Sequence, residues 1–149
     1  MAGKNNARNT VRDGNNGFAK HLYKILSREP GNLIFSPISI HAILSLMSQG
    51  SVNQTKAAFT DALKVPDLNM AAKSYKNIMS HLNSIKGVTL LMANNLFLNE
   101  NYELQNPFAA TAKDNFMAEV KLVDFSKSEA AAGSINDWVE KKTNIKFEI

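Results

Sequence analysis

The chain has 149 residues, of which 44% are hydrophobic and 20% charged, a composition typical of one globular domain rather than a disordered segment. It has no cysteine, so the sequence predicts neither a disulfide framework nor a thiolate metal site. The net charge is +4, and the basic excess falls before residue 31. A basic segment attracts nucleic acid, heparin-like polymers or anionic lipid, although a solvated leader is the simpler interpretation.

The first residues carry little apolar character. Residues 1–14 are polar and rich in Asn and Arg, and we expect them to form a flexible basic leader to a single unit, residues 15–149. No apolar signal segment is present, and no apolar run approaches the ~20 residues that span a bilayer. The sequence therefore leaves two locations open, the cytoplasm and, for a chain from which a signal has been cleaved, the secretory route.

The patterns of the next segments predict a helix, a strand and a second helix. Residues 15–26 carry an amphipathic helical stripe made by Phe18, Leu22, Ile25 and Leu26. Residues 32–35 are a short apolar run, which favours a buried strand. Ser36 suits the N-cap and Pro37 the first turn of a helix over residues 36–48. Because that helix is apolar almost all round, we expect protein to cover every side of it.

The second half alternates helices and strands. In chain order the patterns predict helices at 58–63 and 71–85, a strand at 88–98 covered on both faces, a helix at 106–116, a strand at 118–125 with one partly wet face, and a helix from 128 to 142. On the last helix Trp138 shares a stripe with Ile135 and Val139, which predicts a core or sheet-covering anchor rather than a ligand platform.

We find no motif for catalysis or metal binding. The three histidines, His21, His41 and His81, have no second ligand at metal-binding spacing, and no serine lies in a nucleophile elbow. His41 falls within the apolar helix, where we expect a hydrogen-bonded structural role. We therefore predict that the protein is not an enzyme and needs neither a metal nor a cofactor.

Four motifs at compatible spacings resemble the serpin family. They are the Ser-Pro-x-Ser start of the apolar helix at 36–39 and the segments 87–99, 118–125 and 135–140. The resemblance implies an α+β fold in which helices pack around part of a large mixed β-sheet. It also implies serine-type endopeptidase inhibition, in which a reactive loop is cleaved, traps the protease as an acyl-enzyme and inserts into the sheet.

The family's reactive loop lies beyond the position that corresponds to residue 149. The resemblance therefore implies a truncated, incomplete serpin fold that is not inhibitory alone, and the target protease cannot be named. The alternative is a non-inhibitory interaction protein that binds a polyanion or another serpin chain. The resemblance favours a secreted, extracellular protein, and we expect no specific nucleic acid and no membrane partner. Uncovered sheet edges would promote self-association.

Several residues are candidates for binding or conformational roles. In serpins the serines matching Ser36 and Ser39 belong to the shutter beneath the central sheet, although a plain N-cap would also account for Ser36. Polyanion binding is predicted for Lys73, Lys76, Arg8 and Arg12, against the alternative of ordinary solvated side chains. Asn53 begins an Asn-Gln-Thr glycosylation sequon, a triplet that also arises by chance.

Overall fold

The structure, a computed structural model, describes the backbone of residues 2–87 and 93–143, with side chains from residue 10 onward. Within these ranges it forms helices and a small sheet. The elements in chain order are α1 (Ala2–Leu26), α2 (Pro37–Ser48), α3 (Asn53–Leu63), α4 (Leu68–Leu82), β1 (Asn94–Asn99), α5 (Asn106–Phe116), β2 (Ala118–Val123) and α6 (Ser128–Thr143).

The two strands are parallel neighbours joined by a helical crossover. Asn94 pairs with Ala118, and the register continues to Asn99 and Val123. Parallel strands cannot be joined by a tight turn, and α5 provides the required connection, with Pro107 in its first turn. Among the described residues each strand therefore has one paired edge and one unpaired edge.

The core lies between the helices and one face of this sheet. Helices α1, α2, α4 and α5 pack against one another, and the β1 side chain Leu96 packs against the cluster they form. The largest side chains of the cluster are almost completely buried, and they include Tyr75, Phe116, Leu46, Leu63 and Met79. Burial of these groups supplies the hydrophobic contribution that orders the helices.

Helix α1 begins at Ala2, so the predicted start at residue 15 is wrong. Val11 is fully buried, and a Cβ at Gly14 would lie 2.7 Å from Val65 Cγ1 and 2.8 Å from Leu63 O. At Gly14, α1 thus crosses the end of α3 at a distance that leaves no room for a Cβ. The division of the chain at residue 14 and the mobility of the residues before it stay predictions.

The strand predictions had mixed outcomes. Residues 32–35 form no strand, and Ile34 is 96% exposed, because no described segment pairs with them. The strand predicted at 88–98 is represented by β1, which begins at Asn94, while residues 88–92 lie outside the described residues. The strand predicted at 118–125 is confirmed by β2, which ends two residues earlier, at Val123. The remaining helices lie where helices were expected, with shifted ends.

Candidate functional site

The start of α2 carries the two serines predicted to be shutter-like. Ser36 occupies the N-cap position with extended backbone angles, but its side chain caps no backbone N–H. Its Oγ instead lies 2.8 Å from Ser39 Oγ, so the two hydroxyls form a hydrogen bond with each other. Both residues are exposed. The shutter role stays a prediction, while side-chain capping by Ser36 is not observed.

Burial of α2 is one-sided. His41, Ala42, Ser45, Leu46 and Ser48 form its buried face. Met47 is 50% exposed, so the expectation that protein covers every side of this helix does not hold for the described residues. A groove of about 750 Å³ lies between the end of α2 and β1, with Leu98 and Phe108 in its lining.

His41 is the polar centre of the buried face, as predicted for a structural histidine. Its Nε2 lies 2.9 Å from Leu63 O, and its Nδ1 lies 2.5 Å from the Tyr75 hydroxyl. Because a carbonyl can only accept, Nε2 carries the proton, and Nδ1 accepts from Tyr75. Burial lowers the pKa of His41, and the hydrogen bond to Leu63 opposes this only in part. The imidazole is therefore held neutral.

The sheet presents two chemically different faces along β1. Leu96 packs against the helical core, and Asn94 Nδ2 on the same face donates to Phe116 O at 2.9 Å. Asn95 and Phe97 alternate to the opposite face. There the Phe97 ring meets Trp138 of α6 edge-on, with centroids 6.0 Å apart. Trp138 is 8% exposed, which confirms its prediction as a sheet-covering anchor.

Glu119 of β2 joins the sheet to α6 by two polar contacts. Trp138 Nε1 donates to its Oε2 at 2.8 Å, and Lys142 Nζ forms an ion pair with its Oε1. The hydrogen bond from Lys142, and then that from Trp138, lowers the pKa of the Glu119 carboxyl. Sequence reasoning placed Glu119 on a wet face and missed its role, since no local pattern signals a partner 19 residues away.

The predicted polyanion residues lie on two helices that pack together. Lys73 and Lys76 are both exposed on α4. Arg12 is exposed on α1 and its Nε contacts Asp13 Oδ1 at 2.9 Å. Arg8 is also on α1, but its side chain lies outside the described part. Packing of α1 on α4 places these basic residues on adjacent elements.

Asn53 is the first residue of α3, and its side chain is exposed. It has a φ of 51°, in the left-handed region that asparagine tolerates better than most residues. Thr55, the third residue of the sequon, is also exposed. The triplet is therefore sterically accessible on the surface of the described structure.

Neither a metal cluster nor a membrane-spanning helix is seen in the described parts of the chain. Within them, no three His, Asp or Glu side chains are grouped as metal ligands would be. No helix there combines the length and the hydropathy required to cross a bilayer.

Comparison with known proteins assigns the architecture. A family model described as Serpin (serine protease inhibitor) matches residues 13–148. Antitrypsin of Bombyx mori is 33% identical over 146 residues, which are 97% of this chain and 37% of that protein. The solved structure of cleaved Serpin 42Da superposes with a TM-score of 0.79 at 30% identity, covering 98% of this chain and 39% of that one.

A second solved structure, native protease nexin-1 with heparin, has a TM-score of 0.79 at 26% identity and covers 95% of this chain and 38% of its own. The helices packed on a parallel strand pair are thus part of an α+β serpin architecture. The chain belongs to the serpin family, which confirms the predicted family and fold class. It spans between 31% and 38% of the length of these curated relatives, including 37% of Antitrypsin.

Proposed function

We propose that this chain forms the N-terminal scaffold of a serine-type endopeptidase inhibitor that acts by inserting a reactive loop into its sheet. The observation that supports the proposal most directly is the family match over residues 13–148. The geometry is compatible with it, since β1 and β2 form a parallel pair whose outer edges are unpaired among the described residues. An edge of this kind can accept a further strand. In this function the protein traps proteases and catalyses no reaction of its own.

A polypeptide of residues 1–149 alone should not trap a protease. The resemblance places the reactive loop in the part of the relatives that these residues do not match, and the chain spans 37% of Antitrypsin. Incubation with trypsin-like, chymotrypsin-like and elastase-like proteases, followed by denaturing gels, tests this directly. A covalent adduct formed by this polypeptide alone would contradict the proposal.

A chimera tests whether these residues can serve as an inhibitor scaffold. In it, residues 1–149 replace the matching part of Bombyx mori Antitrypsin, to which they are 33% identical. We expect the chimera to form a protease adduct that survives denaturation, with unmodified Antitrypsin as the positive control. Circular dichroism and a cooperative thermal transition establish that the chimera folds. A folded chimera that is cleaved without forming an adduct would overturn the scaffold proposal.

Polyanion binding is a second candidate function, and two observations favour it. Lys73 and Lys76 are exposed on α4, on which α1 with Arg12 packs. Protease nexin-1, one of the structurally similar proteins, was solved with heparin. We propose that a sulfated polysaccharide binds across these two helices through its anionic groups, with weak and salt-dependent affinity.

We propose an extracellular location, with a cytoplasmic one as the alternative. Asn53 and Thr55 of the sequon are both exposed, so the acceptor side chain is accessible on the surface of the described structure. Expression through a secretory pathway, followed by glycosidase treatment and mass measurement, tests the site. An Asn53→Gln variant is the control, since it destroys the sequon while keeping a side-chain amide.

A further inference from the structure

The C-terminal ends of α4 and α5 contact each other through a methionine. Asn83 is the C-cap of α4, and its main-chain N–H donates to Met79 O at 3.0 Å. Met117 is the C-cap of α5, and its main-chain N–H donates to Ala112 O. Between the two caps, the side-chain amide of Asn83 donates to Met117, with Nδ2 and Sδ 3.5 Å apart. This contact joins two helix ends that lie 34 residues apart in the sequence.

Met117 is open to dissolved oxidants, whereas the core methionine beside this junction is covered. Met117 is 41% exposed, and Asn83 is exposed as well. Met79 is only 2% exposed and belongs to the hydrophobic core. Oxidation of a thioether by a peroxide requires access to the sulfur, so susceptibility follows exposure. We therefore expect a peroxide to reach Met117 and not Met79 in the folded protein.

A second exposed methionine provides an internal comparison. Met47 is 50% exposed at the end of α2, where it lines the groove beside β1. Its sulfur accepts no hydrogen bond from the described residues, whereas Met117 Sδ faces the amide of Asn83. The two methionines therefore have similar exposure and differ in the presence of a donor.

Oxidation changes the hydrogen-bonding capacity of the Met117 side chain. The thioether sulfur gives an electron pair to one oxygen of hydrogen peroxide, the O–O bond breaks, an S–O bond forms and the second oxygen leaves as water. A thioether is a weak hydrogen-bond acceptor, whereas a sulfoxide is polar and presents an oxygen. Because methionine has three rotatable bonds, this oxygen can turn toward Asn83 Nδ2 without a change in the backbone.

We propose that Met117 is a reversible oxidation site, and that its sulfoxide, bound by Asn83, tightens the junction between α4 and α5. Methionine oxidation ordinarily weakens apolar packing, because it adds a polar oxygen. Here the added oxygen has a donor, so oxidation strengthens the contact between the two helix ends. Enzymatic reduction of the sulfoxide restores the thioether and the weaker contact. The proposal does not depend on protease inhibition, and its failure would leave the proposed function untouched.

Hydrogen peroxide is the probe, and peptide mass measurement assigns each oxidised methionine. We expect Met117 to gain one oxygen while Met79 stays reduced. Hydrogen exchange at residues 79–84 and 116–118 then reports the two helix ends. Oxidation should slow exchange there about threefold in the wild type, and it should have no such effect in Met117→Leu. The other methionines are present in both proteins, so the effects of their oxidation cancel in this comparison.

Further variants separate the donor from the acceptor. Asn83→Ala removes the amide, so oxidation should no longer slow exchange at either helix end. Met117→Gln presents a permanent side-chain oxygen and should slow exchange about threefold relative to Met117→Leu. Both replacements at residue 117 keep a Cβ at the left-handed φ of 50°, so backbone strain is common to them. Met47→Leu is the matched control and should respond to peroxide as the wild type does.

The proposal is overturned if oxidation leaves exchange at the two helix ends unchanged or accelerates it. It is also overturned if the slowing persists in Asn83→Ala, or if Met117→Gln exchanges like Met117→Leu. Treatment of the oxidised protein with methionine sulfoxide reductases should return exchange to the original rate. Continued slow exchange after the mass of Met117 has returned to that of the thioether would assign the effect to another residue.

Discussion

The hydroxyl of Tyr75 donates to Nδ1 of His41 at 2.5 Å and so joins helix α4 to helix α2 inside the core. The other ring nitrogen of His41 donates to Leu63 O at the end of α3. The Phe18 ring of α1 meets the imidazole edge-on, with centroids 5.5 Å apart. One neutral imidazole therefore connects four helices, and its protonation state bears on their packing.

The first prediction concerns stability at acidic pH. Burial lowers the pKa of His41 below the ordinary 6.5, so the folded state binds a proton less readily than the unfolded state. The contribution of neutral His41 to the free energy of unfolding is fully present above pH 6.5. It is lost as pH falls from 6.5 through the lowered pKa of His41 in the folded state. Chemical denaturation at a series of pH values should show the free energy of unfolding falling in this window.

Substitution of His41 separates this effect from general acid denaturation. His41→Gln should lower the free energy of unfolding at pH 7 by about 1–3 kcal/mol, because it disturbs the buried hydrogen bonds to Tyr75 and Leu63. Its pH dependence below 6.5 should also be shallower than that of the wild type. His21→Gln, at an exposed position, is the control. An equal pH dependence in the wild type and His41→Gln would assign the effect to other groups.

Local periodicity was sufficient for the helices that pack on the core. In α4, Ala71, Tyr75 and Met79 fall on one predicted stripe, and all three are buried. The hydrogen-bonded role of His41 could also be predicted, since a polar ring on a buried helix face needs partners. The identity of those partners could not, because Tyr75 lies 34 residues from His41 and Leu63 lies 22 residues away.

The wrong predictions concern segments whose structure depends on residues that are distant in the sequence. Residues 32–35 have a strand-like composition, but a strand also requires a neighbour, and none of the described residues provides one. The early part of α1 has polar residues and Gly14, which lower its intrinsic helix preference. Its burial against Val65 is a tertiary contact that no sequence window around residue 14 contains.

The second prediction tests the close crossing of α1 over α3. Gly14→Ala should lower the free energy of unfolding by about 1–3 kcal/mol, because the new Cβ would lie 2.8 Å from the backbone oxygen of Leu63. Gly17→Ala is the matched control on the same helix, where the nearest atom is at 3.4 Å and belongs to the flexible Lys64 side chain. We expect it to be neutral or to stabilise by up to about 1 kcal/mol. If Gly14→Ala and Gly17→Ala changed the melting temperature equally, α1 would not cross α3 this closely.

The third prediction concerns polyanion binding. Substitution of Lys73 and Lys76 by Glu should lower the salt concentration at which the protein elutes from a heparin column. Each lost contact with an anionic group of heparin reduces the number of counterions released on binding. Reversal of Arg8 and Arg12 should have an effect of similar size. Lys113→Glu and Lys121→Glu form the control pair, because they make the same charge change on α5 and β2. An equal shift in the control pair would indicate dependence on net charge alone.

The last prediction is self-association through β1. The strand reads Asn-Asn-Leu-Phe-Leu-Asn without a charged residue, whereas β2 contains Glu119 and Lys121. Charged side chains on an edge strand oppose pairing with another chain, so β1 is the less protected of the two outer edges. The groove that Leu98 lines adds apolar surface on the helix-facing side of the same strand. We therefore expect the 149-residue polypeptide to form oligomers, or a loosely packed monomer that binds hydrophobic dye.

Light scattering after gel filtration measures the mass, and hydrogen exchange across residues 94–99 reports protection of the strand. Leu98→Lys should shift the population toward monomer, because it places a charge on the unprotected strand. Leu122→Lys is the control on β2, where the side chain is already 55% exposed. If both variants dissociate the oligomer equally, general apolar exposure drives association rather than the β1 edge. A monodisperse wild-type monomer with slow exchange through 94–99 would show that the strand is already covered within one chain.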